Sequence, residues 1–346
     1  MDTKQHQAYC GIDLHARSLY VCILTQEGEI RRHRNMQASP EPFLKAITPY
    51  RAEMVVAVEC LFTWDWLADL WAQAGLPGVL GHARARNAIP GGKAKTDQID
   101  AHKIAVWLRG GMLPQAYVYP ADMRATRDLL RRRMELPRKR AELLAHRQNT
   151  HSQYNLPEIG NKLAYKANRD GVAERFADAA VHKSLAVALA LCECDAPLRS
   201  ALEWPIVKAA KPHNANTWSL LQTVPGLGNI LSLVLLSESH DLQRFPSVQD
   251  CVSYGRLVTC AKAAAGKRDG PAGSKIGKAD LKGAFSEAAG LFLRDHAAGP
   301  KYLTRWAKQH GQGKALTLLA QQLGRAVYDM FKRQQAFEMD KLLHEE

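Results

Sequence analysis

The order of strand-forming and helical stretches in the N-terminal part of the chain is the feature that most constrains its fold. Three β-rich runs come first, followed by a helix, a strand, a helix, a short strand and a further helix. The run at 54–59 is almost entirely apolar, as expected for a strand that is buried on both faces. We therefore predict one sheet with helices packed against it. The predicted strands cover residues 8–13, 18–25, 29–36, 54–59 and 78–82.

This order matches the ribonuclease-H-like fold, so we expect an α/β domain of that type at the N-terminus. In open α/β sheets, binding and catalytic residues collect at the carboxyl ends of the strands. Asp13 and Glu59 each end a predicted strand, and Asp97 and Asp100 begin the last helix. Taken singly, each has an ordinary explanation as a turn residue, a strand-end charge or an acid at a helix N-terminus. Their shared placement in the fold favours a joint function.

The stretch 93–105 places two carboxylates on one face of a helical turn. If Thr96 caps this helix, Asp97 and Asp100 lie three residues apart in its first turn. A divalent cation offsets the repulsion between them, and oxygen ligands suit Mg²⁺ or Mn²⁺. Four acidic ligands at one place indicate two-metal catalysis on phosphodiesters. The neighbouring residues predicted to contact phosphate are Lys93 and Lys95.

Composition restricts the class of partner. The chain has 346 residues, enough for about two domains. Its net charge of +13 and pI of about 9.4 favour a polyanionic partner, nucleic acid before membrane. No apolar run is long enough to span a bilayer, and the polar residues 1–7 predict no secretory signal. The seven cysteines are scattered and show no zinc-type spacing, so we expect reduced thiols in the cytoplasm.

Residues 124–153 form a strongly basic predicted helix, followed by a second long helix that packs on it as a hairpin. Leu129, Leu136 and Leu143 recur every seven residues, as in a coiled-coil seam. Pro137 is expected to kink or break the helix. A solvated charged helix is the simplest explanation, but few acids balance the arginines, which favours phosphate binding or dimerisation. The residues predicted to bind nucleic acid here are Arg131, Arg132, Arg138 and Lys139.

The second half of the chain carries a helix-hairpin-helix pattern at 220–232. Gly226 and Gly228 lie in its tight turn, where glycines let backbone amides approach a phosphate. Pro-Gly turns between helices also occur without any ligand. A Lys- and Gly-rich loop is expected at 262–282, either lying on nucleic acid or simply solvated. Its predicted nucleic-acid contacts are Lys267, Arg268 and Lys275.

Several short motifs occur together in this chain and form a specific set. In these motifs the chain resembles the DEDD transposases of the IS110 insertion-sequence family, specifically its IS1111 group, which is related to the Piv-type DNA invertases. The resemblance covers nearly the whole chain. The motifs are Gly11-Ile12-Asp13, Val58-Glu59, Lys95 to Ala101, Val224 to Gly228, Arg244-Phe245-Pro246, Lys275 to Gly277, and Leu281-Lys282.

The resemblance implies three segments: a RuvC-like DEDD nuclease domain at 1–121, a coiled-coil helical segment for dimerisation at 122–212, and a mainly helical transposase domain at 213–346. It implies Mg²⁺ bound by the four carboxylates named above. It also implies a structured non-coding RNA, the bridge or seeker RNA, that pairs with donor and target DNA. Two homodimers with two RNAs would form a homotetramer. The expected location of the protein is the bacterial cytoplasm, in association with the nucleoid.

The resemblance further implies a nucleophilic serine in the C-terminal domain, which attacks the phosphodiester to give a phosphoserine link. In that family the serine lies two residues before the Gly-Lys pair that matches Gly266-Lys267. This chain has Ala264 at that position. The nearest downstream serine, Ser274, lies in a different part of the loop. Because the other motifs are intact, we expect a chain altered to block this chemical step rather than a naturally inactive one.

Two other functions are compatible with the same residues. A Holliday-junction resolvase shares the nuclease fold and its acidic ligands, but it does not need so large a C-terminal half. A non-catalytic nucleic-acid-binding protein would use the carboxylates for structure alone. Bound RNA distinguishes the recombinase from the resolvase, and metal binding by Asp13 distinguishes either enzyme from the binding protein.

Overall fold

The computed structural model describes residues 6–60, 62–82, 96–157, 165–210, 215–258, 260–264, 267–272, 277–297 and 299–339. The chain divides into two compact units, Met1–Ala121 and Asp122–Glu346. Within the described part of the chain, no helix is long and apolar enough to cross a membrane.

The first unit contains a mixed five-stranded sheet in the order β3-β2-β1-β4-β5. The strands β1 to β3 pair antiparallel, whereas β1 with β4 and β4 with β5 pair parallel. The predicted succession of strands and helices is thereby confirmed, and it is consistent with a ribonuclease-H-like domain. In chain order the elements are β1 (Ala8–Leu14), β2 (Ser18–Thr25), β3 (Ile30–Gln37), α1 (Pro40–Ile47), a 3₁₀ helix (Thr48–Glu53), β4 (Met54–Glu59), α2 (Asp65–Gln73), β5 (Gly78–Gly81) and α3 (Asp97–Arg109).

The central strands are buried on both faces because helices cover both sides of the sheet. Side chains alternate between the faces of a strand, so Ile12 and Val58 pack against Phe43 of α1 and Leu67 of α2. Their neighbours on the other face, such as Ala57, pack against α3. The polar strand β3 lies at the edge of the sheet, where its largely exposed side chains do not disturb this core.

Helix α3 crosses β1 directly over Gly11. A Cβ atom at this position would overlap the carbonyl oxygen of Ala101 and the amide nitrogen of Ala105. Only glycine therefore allows the backbones of the strand and the helix to approach this closely. Ala101 and Ala105 are themselves fully buried and small, which completes the close contact.

The second unit is mainly helical. Its strands β6 and β7 pair antiparallel, so the expectation of a simple loop across 262–282 is wrong over the paired residues. In chain order the elements are α4 (Ala121–Gln153), 3₁₀ helices (Lys166–Asn168 and Ala173–Arg175), α5 (Ala179–Ala210), α6 (Ala215–Leu221), α7 (Asn229–Ser239), a 3₁₀ helix (Leu242–Arg244), α8 (Val248–Tyr254), β6 (Cys260–Ala264), β7 (Lys267–Ala272), α9 (Ala279–Asp295), α10 (Gly299–His310) and α11 (Gln312–Arg333).

Helices α4 and α5 form an antiparallel hairpin held by ion pairs. Arg133 contacts Glu203 at 2.7 Å, and Arg140 contacts Asp195 at 3.3 Å. Pro137 lies between these two bridges inside an unbroken helix, so of the two expected outcomes, a kink or a break, the break is wrong. A proline removes one amide donor, and we infer that the flanking contacts between the helices hold the remaining turns in place.

We predict that Gly11→Ala destabilises the first unit by about 1–3 kcal/mol, because the added methyl group must push α3 away from β1. The control is Gly313→Ala in α11, where a Cβ meets no atom within 4 Å. That exchange should change stability by less than about 0.5 kcal/mol. Urea unfolding followed by circular dichroism measures both. Equal stability of Gly11→Ala and the parent chain would contradict the close packing.

Candidate metal centre

Asp13 and Glu59 lie at the same edge of the sheet because β1 and β4 run parallel. The register pairs Ile12 with Val58, so Asp13 and Glu59 are the next residues along the two strands. Both are nearly buried, with exposed fractions of 3% for Asp13 and 9% for Glu59. The regular strands on which they lie fix their backbones.

Helix α3 brings two further carboxylates in its first turn. The Thr96 hydroxyl accepts a hydrogen bond from the amide of Ile99 at 3.3 Å, which confirms the expected N-cap. Asp97 begins the helix and Asp100 follows one turn later, buried against the sheet. Negative charge is stabilised at a helix N-terminus by the exposed amides and the helix dipole.

The structure brings Asp13 and Asp97 together around His15. The His15 Nε2 atom lies 3.5 Å from Asp13 Oδ2 and 3.4 Å from Asp97 Oδ1. One potential ligand atom from each of these three residues lies within 4.8 Å of the other two. The backbone amide of His15 donates to the carbonyl of Ser18 at 2.8 Å, which fixes the turn after β1. We call these three residues the Asp13 group.

Sequence reasoning did not identify His15. The available signal was a histidine two residues after a strand-ending aspartate, within Asp13-Leu14-His15. Such a histidine is informative only once the fold shows that a second carboxylate approaches it from α3.

The remaining two carboxylates line a small cleft beside the Asp13 group. Glu59 and Asp100 share this cleft with His82, Lys103 and apolar residues that include Trp107. Its volume of about 20 Å³ is close to the space that one water molecule needs. The cleft therefore has room for a single ion or water molecule. Asp13 and Asp97 thus meet around His15, while Glu59 and Asp100 line the same small cleft.

The donor set fits a hard or borderline divalent ion. Carboxylate oxygens suit Mg²⁺ and Mn²⁺, and an imidazole nitrogen favours Mn²⁺ over Mg²⁺. The two buried thiols of this sheet are not among these donors, and burial raises the pKa of Cys22 to about 12 and also raises the pKa of Cys10. Both thiols stay protonated at neutral pH.

The basic residues of α4 are engaged mainly with acidic side chains of the second unit. Arg127 and Arg131 both bind Glu238 on α7, at 2.9 Å and 2.6 Å. Glu238 is only 2% exposed. Burial alone would raise the pKa of Glu238, but hydrogen bonds and charges from Arg131 and Arg127 outweigh this and lower that pKa. The other residues predicted to bind nucleic acid here contact acids as well: Arg132 with Glu135 at 2.8 Å, Arg138 with Asp280 at 3.8 Å, and Lys139 with Glu142 at 3.2 Å.

The two glycines of the predicted hairpin have different surroundings. Gly226 has φ +86°, and a Cβ there would lie 2.5 Å from the Ala288 carbonyl oxygen, so the turn packs closely on α9. Gly228 precedes α7 and has open space around it. Gly226 therefore serves packing, whereas phosphate binding beside Gly228 stays a prediction.

The remaining predicted residues lie in or beside the β6–β7 hairpin or outside the described part of the chain. Ala264 of β6 pairs with Lys267 of β7, and Arg268 pairs with Ala263. The residues outside the described part are Lys93, Lys95, Lys275 and the alternative serine, Ser274.

Comparison with known proteins identifies two transposase domains. Residues 10–155 match the model of the DEDD transposases of IS110 elements. Residues 218–304 match the model described as transposase, IS116/IS110/IS902 family. No curated protein matches the chain. The Asp13 group and the cleft with Glu59 lie within the first match, and the β6–β7 hairpin lies within the second.

We predict that Glu238→Gln destabilises the second unit by about 3–5 kcal/mol, because it removes the buried carboxylate that the largely buried Arg127 guanidinium contacts. The stabilisation of the folded state by the ionised Glu238 carboxylate is fully present above the unfolded-state pKa of glutamate, about 4.3. It is lost as the pH falls through the lower pKa of the folded state. The control Glu135→Gln removes an exposed partner and should cost less than about 1 kcal/mol. Urea unfolding at neutral pH compares them, and equal costs would contradict the prediction.

Proposed function

We propose that this IS110-family transposase cuts and rejoins donor and target DNA under the guidance of a structured non-coding RNA. The observation that carries the proposal is the Asp13 group at the edge of the sheet, within a domain that matches the DEDD transposases. The match of the second unit to a transposase model favours this function over a Holliday-junction resolvase. It also favours an enzyme over a non-catalytic binding protein.

The four carboxylates would supply ligands for two divalent ions. Asp13 and Asp97 would hold one divalent ion, and Glu59 with Asp100 would hold the second. When bound, such ions neutralise the phosphodiester and polarise its oxygen atoms. Asp13 is held by its strand, while the Asp97 side chain is 48% exposed to solvent. His15 is close enough to both carboxylates to be a third donor in the Asp13 group.

We predict that Asp13→Asn abolishes Mn²⁺ binding at the Asp13 group and that Glu59→Gln weakens total Mn²⁺ binding. Each change removes a charged ligand oxygen from a nearly buried position. The matched control is Glu41→Gln in the first turn of α1, which removes one exposed charge away from the sheet edge. Isothermal titration calorimetry with MnCl₂ compares the three variants. Binding of Mn²⁺ by Asp13→Asn with unchanged affinity and stoichiometry would exclude this site.

Position 264 determines whether the chain can exchange strands. In the proposed reaction a serine oxygen attacks phosphorus, the 3′ oxygen of the DNA leaves with a proton, and a phosphoserine forms. The methyl group of Ala264 has no lone pair with which to attack. We therefore propose that this chain binds its RNA and DNA partners without cleaving them, as expected if serine had been replaced by alanine to block the step.

Ala264→Ser is predicted to restore strand exchange. The assay uses cognate RNA, donor and target DNA, and it detects the phosphoserine adduct by mass spectrometry. Sequencing the RNA that copurifies with the parent chain identifies the guide. Recombination by the alanine form would show that another group attacks phosphorus, with Ser274 and water as the first candidates.

We propose that self-association uses α5 rather than the leucines of α4. Leu129 packs on the core of the second unit, and Leu136 is partly buried. On α5, by contrast, Val187, Leu191 and Leu198 are at least half exposed. Their spacings of four and seven residues place them on one face, as in a seam between two helices. A second copy of the chain is the partner that such a face fits, and two dimers would then form the tetramer.

Light scattering tests this assignment. The double variant Leu191→Asp/Leu198→Asp should halve the particle mass, because charges are not tolerated in an apolar seam. The comparison variant Leu136→Asp/Leu143→Asp should retain the parent mass. The reverse result would place the interface on α4.

A further inference from the structure

Helix α10 (Gly299–His310) was not identified in the sequence analysis, and the structure shows that it has two distinct faces. The rings of Tyr302, Trp306 and His310 follow one another along one face. Their centroids are 6.1 Å and 5.6 Å apart. Tyr302 packs against the core of the second unit, and the helix lies against α9 and α11. The aromatic face therefore anchors the helix.

The other face of α10 is basic and open. Lys301, Arg305 and Lys308 lie on it together with Thr304 and Gln309, and these residues line a wide surface groove. The helix contains no acidic residue. Within the described part of the chain, neither Lys301 nor Lys308 has an ion-pair partner. We call Lys301, Thr304, Arg305, Lys308 and Gln309 the α10 basic face.

The α10 basic face differs from α4 in how far its charges are paired with acidic side chains. On α4, Arg127 and Arg131 lie against the buried Glu238, and Arg132 binds Glu135 on its own helix. Much of their charge is therefore neutralised within the protein. The charge of Lys301 and Lys308 remains available to an external anion.

We propose that the α10 basic face binds the phosphate backbone of duplex DNA. Lys301 and Lys308 are separated by about 10 Å along the helix axis. That distance corresponds to about three phosphates of one DNA strand. Lys301 and Lys308 can therefore engage two phosphates of one strand without reading the bases. The inference rests on the proposed function only in taking DNA as the substrate, and it requires neither metal nor strand cleavage.

Duplex DNA fits this face better than single-stranded RNA does. Recognition of single strands relies on exposed aromatic side chains that stack on the bases. The aromatic residues of α10 lie on its other face, where Tyr302 packs into the protein. The basic face itself offers charges and hydrogen-bonding groups only.

The test is a salt titration of DNA binding by the full chain, in EDTA so that no metal chemistry contributes. Fluorescence anisotropy with a labelled duplex gives the slope of log affinity against log salt concentration. The variant Lys301→Gln/Lys308→Gln should reduce the magnitude of this slope by roughly 2, because each lost phosphate contact contributes about 0.9. Circular dichroism checks that the exposed substitutions leave the fold intact.

The control Lys45→Gln/Lys183→Gln removes the same charge from exposed positions on α1 and α5, outside the α10 basic face. It should leave the slope close to that of the parent chain. Equal slopes for the two double variants would overturn the proposal. A reduced slope for a single-stranded RNA probe but not for duplex DNA would also overturn it, because it would assign the face to RNA. Loss of metal binding or of strand exchange in other variants leaves this result unaffected.

Discussion

The contact between α3 and Gly11 is the constraint on which the candidate metal centre depends. The absence of a side chain at this residue lets the helix backbone rest on the central strand. The same contact brings the first turn of α3 to the carboxyl end of β1, where Asp97 meets Asp13 and His15. Residues 11–13 therefore determine both the packing and the site. Gly11 allows α3 to lie close to β1, and this close approach places Asp97 near Asp13.

Charge in the second unit serves two different purposes. Arg127 and Arg131 hold the buried Glu238, so they join α4 to α7 at the centre of the unit. The lysines of α10 are exposed and have no described acidic partner, so they are suited to an external polyanion. The net positive charge thus overestimates the basic surface that is available to nucleic acid, because some of the arginines are paired with acidic side chains inside the protein.

Much of the first unit was predictable because its signals are local. The apolar run at β4 and the Thr96 cap each depend on a few adjacent residues, and both are confirmed. His15 was missed because its role depends on a carboxylate more than eighty residues away in the chain. The partner of Arg131 was missed for the same reason, since Glu238 is distant in sequence. The β6–β7 hairpin was hidden by its Lys- and Gly-rich composition, which resembles that of a solvated loop.

The burial of Glu238 has a practical consequence for handling the protein. Salt screens exposed charges within about 10 Å at 0.1 M ionic strength, whereas buried ion pairs are screened much less. High ionic strength should therefore detach nucleic acid from exposed lysines while the contact between α4 and α7 stays intact. Chromatography in concentrated salt is thus a route to the folded protein free of the RNA and DNA that a basic chain collects from a cell extract.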